Sequence, residues 1–359
     1  MSSCVNCAAL PSVYTGQPML MRLRFNAFPA LTFWLAACCG AQSPDLSLLN
    51  RNRPLLDAHN CYPYEGRWAD RVTRALGTGF PVGIEQDLAW YVDPASGKGR
   101  VVVTHKAETD GSEPELRTYF FERVRPIVEK ALRDGDTPRW PLVVVHFDFK
   151  DNQLPLLRAV WTLLGEYEEW ITTGEKLSDA KAIAPWKVKP LLVLTEDPDP
   201  QEQVFFRELP VGGKLRIFGS AHTHAPKGQA KEESEHLLAT TPAAQLLTEP
   251  ATNYRRWWNN SWHEVEEGGQ NRAGEWTQAD DKRLRELVDR AHSLGYWMRF
   301  YTLDGFDPKT GKEYGWFESY NFGSRAAAEK RWKAAITAGV DMIATDQYED
   351  LAPLVHKER

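Results

Sequence analysis

What most constrains this chain is an alternation. Eight short apolar, β-like runs are separated mostly by amphipathic stretches, and several of the runs close on a polar word. The runs fall at 55–60, 82–88, 142–150, 191–196, 215–220, 254–258, 296–303 and 340–345. Helical patterns occupy 67–76, 115–133, 152–173, 201–209, 278–294 and 324–338, the last closing on Ala338-Gly339 as a helix stop. Eight strands with intervening helices predict an α/β fold, a (β/α)8 TIM-type barrel rather than an open sheet. An extra run at 101–105 follows the turn-rich stretch 93–99 and predicts a hairpin after the second barrel strand. The polar stretch 222–278 predicts excursions over the mouth. There is no internal repeat, so a single catalytic domain over 50–359 is expected.

Composition narrows the class. The chain has 359 residues, 42% of them hydrophobic, which suffices for a barrel of roughly 250 residues with insertions. A net charge of −6 argues against a nucleic-acid partner, and no Lys/Arg block invites an anionic membrane. Membrane contact is expected only through a lipid anchor or through the substrate. Cys4, Cys7, Cys38 and Cys39 crowd the start, leaving Cys61 alone in the body, so no intramolecular disulfide is expected in the domain.

Residues 1–43 carry the marks of a leader. Met19 to Arg24 is basic, 27–37 is apolar, and Cys39-Gly40-Ala41 supplies small residues. The apolar part is shorter than the roughly 20 residues of a membrane span. Export is the expectation, periplasmic or secreted, with Met19 or Met21 the better start. Leu35-Ala36-Ala37-Cys38 resembles a lipoprotein box, which would anchor the chain at Cys38.

Strand ends line the mouth of a barrel, where its chemistry is done. Glu85 and Asp87, two apart on one strand, point the same way. Two carboxylates in one low-dielectric cavity call for a hard cation, Mg2+ or Ca2+. Alone, such a pair is more often a solvated edge. Asp148 and Lys150 repeat the spacing, with Lys150 suited to an anionic oxygen, although a strand-end salt bridge explains them equally well. His59 and His105 are the candidate proton carriers, and Asn60 offers a neutral oxygen to the metal or an amide to the substrate. Arg299 and Tyr301 alternate on the seventh run. Burial of Arg299 demands an anion partner, and Tyr301 would wall the pocket. His146 reads as a satisfied core histidine. His222-Thr223-His224 is a weak metal motif on a loop. Trp257, Trp258, Trp262 and Trp276 suit the core better than a ligand platform.

Taken in order, His59-Asn60, Glu85-x-Asp87, His105 after a hairpin, Asp148-x-Lys150 and the closing 338–346 resemble the phospholipase C-like phosphodiesterase superfamily over 54–355. That superfamily includes phosphatidylinositol phospholipases C, glycerophosphodiester phosphodiesterases and sphingomyelinase D toxins. Each word alone is weak; their order carries the resemblance. It implies His59 and His105 as the acid–base pair, Glu85, Asp87 and Asp148 around one divalent cation, and Lys150, Arg299 and Tyr301 toward the phosphate. There are departures. Asn60 and Lys106 stand where glycerophosphodiesterases carry Arg and Asp, and Asp148 matches the sphingomyelinase D-like Asp-x-Lys.

The expected function is a metal-dependent phosphoric diester hydrolase acting on a small phosphodiester or a phospholipid. Two alternatives stand beside it: an exported, non-catalytic barrel that binds, and an amidohydrolase-type hydrolase using His222 and His224. The second leaves Glu85-x-Asp87 unexplained. The head group, and hydrolysis against a cyclic product, stay open.

Overall fold

The computed structural model describes residues 48, 49, 54–64, 68–268, 273–314, 316 and 321–356. Residues 1–43, with the expected leader, four cysteines and the expected anchor site at Cys38, lie outside them. In chain order the strands are β1 Leu55–Ala58, β2 Val82–Val92, β3 Gly99–Val103, β4 Val143–Phe149, β5 Gly174–Glu175, β6 Leu191–Thr195, β7 Lys214–Leu215, β8 Phe218–Ser220, β9 Arg255–Ser261, β10 Trp297–Tyr301 and β11 Met342–Thr345. Eight of them pair in parallel around a closed ring, β1-β2-β4-β6-β8-β9-β10-β11 and back to β1. This is a (β/α)8 barrel. β3 pairs antiparallel with β2 as the expected hairpin.

Local chemistry explains the elements. Helix Gln278–Ser293 starts on a capping box between Thr277 and Asp280, and buries Leu284, Leu287, Val288 and Ala291, one face at helical spacing. Helix Arg325–Ala338 is capped by Ser324 and ends at Gly339, whose φ of 84° is left-handed. No helix among the described residues is long and apolar enough to cross a membrane.

Several boundaries depart from the sequence expectation, three of them for reasons that the contacts supply. The fifth run splits: β7 leaves to pair with β5, and only β8 joins the barrel. Arg216 sits at the break and pairs with Glu168 at 2.6 Å, which draws that stretch off the barrel. The sixth run extends past Trp258 to Ser261. The pattern at 152–173 is α-helical to Glu166 and closes in a 3-10 turn at Glu168–Trp170, after which β-branched Thr172 and Thr173 bond instead to the backbone of Leu191 and Lys187. Trp257, Trp258 and Trp262 are fully buried, so this segment is core, as expected.

Candidate active site

Register builds the mouth. Glu85 pairs with His146 and Asp87 with Asp148 across β2 and β4, and Arg299 pairs with Asn259 across β10 and β9. Laterally paired residues share a face, so these side chains turn inward together. A cavity of about 320 Å³ opens there, lined by His59, Asn60, Glu85, His105, Asp148, Lys150, Arg299 and Tyr301, with Glu196 and Asn259 in addition. Eight of the nine residues singled out from sequence therefore meet in one pocket. The ninth, Asp87, is buried, and it contacts Lys150.

Ligand oxygens of Glu85, Asp87 and Asp148 lie within 4.8 Å of one another. Neither oxygen of Asp87 accepts a hydrogen bond among the described residues, although the side chain is 1% exposed. Lys150 Nζ lies 3.0 Å from Asp87 and 2.8 Å from Asp148. Burial drives the Asp87 carboxyl well above its ordinary range against the pull of Lys150, and the charges of Asp148 and Glu85 add to that rise. A buried, unsatisfied carboxylate is costly. Three carboxylates within reach of one ion, one of them fully buried and held only by its ion pair with Lys150, fit a hard divalent cation with oxygen ligands.

The two histidines differ in protonation. His59 places Nδ1 2.9 Å from Asp346 Oδ1 and Nε2 3.6 Å from Glu85 Oε2, and its ring stacks on Tyr301. Burial disfavours its charge, yet Glu85 and Asp346 outweigh that and lift it to about 9. His105 sits on the exposed rim against the Tyr62 ring, and burial followed by Lys150 lowers its pKa. These surroundings therefore favour the charged form of His59 and the neutral form of His105. Burial resists charge on Lys150 too, but Asp87 and Asp148 keep it protonated.

Asn60 and Arg299 do structural work that sequence did not foresee. Asn60, at φ 55°, donates to Asp346 Oδ1, and its amide oxygen, offered above to the metal, accepts from Tyr62 Oη at 2.9 Å. Arg299 does have anion partners, but they belong to the protein. It donates to Asp57, to Glu85 at 2.7 Å and to Asn259 at 2.8 Å. Every guanidinium nitrogen thus has an acceptor, and Arg299 holds Glu85 in place while lining the cavity.

Asp57, Asp346, Glu196 and Asn259 escaped the sequence argument. Asp57 stands two residues before His59, the same spacing that flagged Glu85 and Asp87. Its carboxylate fits beside β2 because position 83 is glycine; a Cβ there would overlap Asp57. Gly83→Ala is expected to lower stability by about 1–3 kcal/mol through overpacking, read by urea unfolding. An unchanged midpoint would mean that β2 shifts freely.

His146 is buried as expected, bonded through Nε2 to Glu196 at 2.6 Å and edge-on to Trp257, but it is not fully satisfied, because its Nδ1 has no hydrogen-bond partner among the described residues. His222 is exposed and pairs with Asp197 at 3.0 Å. It groups with Asp199 and Glu202 but not with His224, so among the described residues the His-x-His pair does not converge.

No family model matches the chain, and no curated protein matches it. Solved structures similar to it include Plasmodium falciparum HPPK-DHPS carrying one substitution, with pteroate (TM-score 0.41, 9% identity, 84% of this chain and 47% of that one). The wild-type enzyme with pterin and p-hydroxybenzoate aligns at a TM-score of 0.37 and 9% identity, over 83% of this chain and 46% of that one. The chain spans about half the length of these proteins, and so distant a likeness carries no functional argument.

Proposed function

We propose that this barrel is a divalent-metal-dependent phosphodiesterase of phospholipase C-like type, acting on a small phosphodiester or a phospholipid. One observation carries the proposal: His59 and His105 line one pocket with Glu85 and Asp148, and ligand oxygens of Glu85, Asp87 and Asp148 lie close enough together to reach one ion. Glu85, Asp87 and Asp148 would hold the cation, Mg2+ or Ca2+, which when bound supplies positive charge to phosphoryl oxygens.

The chain's own groups supply the rest. Neutral His105, at the rim, takes the proton of the attacking hydroxyl. Charged His59 gives its Nε2 proton to the leaving alkoxide, while Asp346 holds Nδ1 and fixes the ring. Lys150 keeps a permanent positive charge in the pocket for an anionic oxygen. Tyr301 backs the His59 ring and walls the cavity. The leader supports an exported enzyme.

Hydrolysis of bis(p-nitrophenyl) phosphate tests this directly. Nitrophenol release with Mg2+ or Ca2+, abolished by EDTA and restored by the cation, is the expected result. Release that persists in EDTA would overturn the metal assignment. Cation binding without any release, on this or natural diesters, would favour a non-catalytic binding barrel.

A further inference from the structure

The two ring nitrogens of His59 face different carboxylate groups. Nε2 looks to Glu85, at the edge of the mouth trio, and Nδ1 looks to Asp346. Asp304, just past β10, joins the second group: ligand atoms of His59, Asp304 and Asp346 lie within 4.8 Å of one another. All three residues are at most 5% exposed. Asp304 Oδ1 accepts from Thr345 Oγ1 and from the Asp346 amide at 2.7 Å, which ties the two carboxylates together.

One observation shows that this cluster has unused ligating capacity: Asp346 Oδ2 is buried and accepts no hydrogen bond among the described residues, with Arg71 Nη1 standing off at 3.9 Å. His59 Nδ1, by contrast, is already engaged. Asp346 Oδ1 lies 2.9 Å from it and the Asn60 amide 2.8 Å, yet the nitrogen has one lone pair or one proton to offer.

We propose that His59, Asp304 and Asp346 form a second cation site, separate from the mouth trio and suited to a zinc-class ion. The donor chemistry separates the two. Three carboxylates suit Mg2+ or Ca2+, whereas an imidazole nitrogen with two carboxylates suits Zn2+ or Co2+. The ligand atoms are already gathered, so occupation needs loss of the Nδ1 proton and little chain movement. Resting on the reading of His59 as proton donor, a second consequence follows: an ion on Nδ1 withdraws His59 from catalysis, and Zn2+ inhibits the Mg2+-loaded enzyme.

Co2+ titration of the full chain in excess Mg2+, followed by visible absorption, tests the site without reference to activity. One equivalent of Co2+ with d–d bands of a nitrogen–oxygen site is expected. The bands persist in Asp148→Asn and vanish in Asp304→Asn. Should Asp304→Asn fail to fold by circular dichroism, His59→Gln carries the same prediction. Absence of bands in the wild type, or their loss in Asp148→Asn, would overturn the proposal. Bands that behave as expected beside an inactive protein would leave the site standing and reject only the phosphodiesterase reading.

Discussion

Replacing His59 by Gln is expected to lower kcat by roughly 10²–10⁴-fold, the usual contribution of a positioned general acid, with the barrel still folded. The variant also removes a pH dependence of stability. In the metal-free protein the folded-state pKa of His59 is raised from 6.5 to about 9. The charged ring therefore contributes stability that is fully present below pH 6.5 and lost as pH rises through 9. A shift of that size on a buried group amounts to about 3 kcal/mol. Urea unfolding in EDTA should show the wild type weakening across that window while His59→Gln stays nearly flat. Parallel curves for the two proteins would mean that His59 is not held charged. Turnover adds a second readout. The wild-type rate should fall on the alkaline side as His59 loses its proton and on the acid side as His105 gains one. His105→Gln should remove the acid limb, and an acid limb that survives it would exclude His105 as the base.

The barrel was legible because its strands are continuous apolar runs, a signal local to each segment. Boundaries were lost where a distant partner decides. Arg216 leaves the fifth run for Glu168, 48 residues away, and the periodicity of 215–220 cannot register that. β9 was read short because its mouth half is Asn259, Asn260 and Ser261, poor strand formers that serve the cavity or the surrounding polar network. The site divides the same way. Residues that the proposed mechanism brings to the substrate, such as His59 and Lys150, end their runs as conspicuous polar words. The groups that hold them do not. Asp346 follows His59 by 287 residues, and only the closure of β11 onto β1 makes it the partner of Nδ1. Arg299 shows the limit of composition-level reasoning. Burial did require an anion, but that Asp57 and Glu85 supply it follows from barrel register, which the run itself does not show.

Asp87→Asn should separate metal binding from fold stability. The substitution keeps the shape of the side chain and removes a buried charge whose oxygens accept no hydrogen bond. Lys150 retains Asp148 at 2.8 Å, so its own charge is not stranded. In EDTA the variant is expected to be at least as stable as the wild type, by about 1 kcal/mol, since relief of desolvation outweighs one lost ion pair. The pH dependence has a definite sign. Because the Asp87 pKa is raised, its contribution is present below the ordinary carboxylate range and is lost as pH rises through the raised value. The two proteins should therefore converge in acid and separate toward neutrality, with the wild type the weaker. Divalent cation reverses the order. An ion that binds only the folded wild type at about 100 times its Kd adds about 2.7 kcal/mol. Asp87→Asn, with one ligand charge removed, should show little of that gain and little turnover. Calorimetric melts with and without Mg2+ or Ca2+ decide the matter. A variant destabilised in EDTA, yet still shifted upward by the cation, would show that Asp87 belongs to the scaffold and that the ion, if any, sits elsewhere.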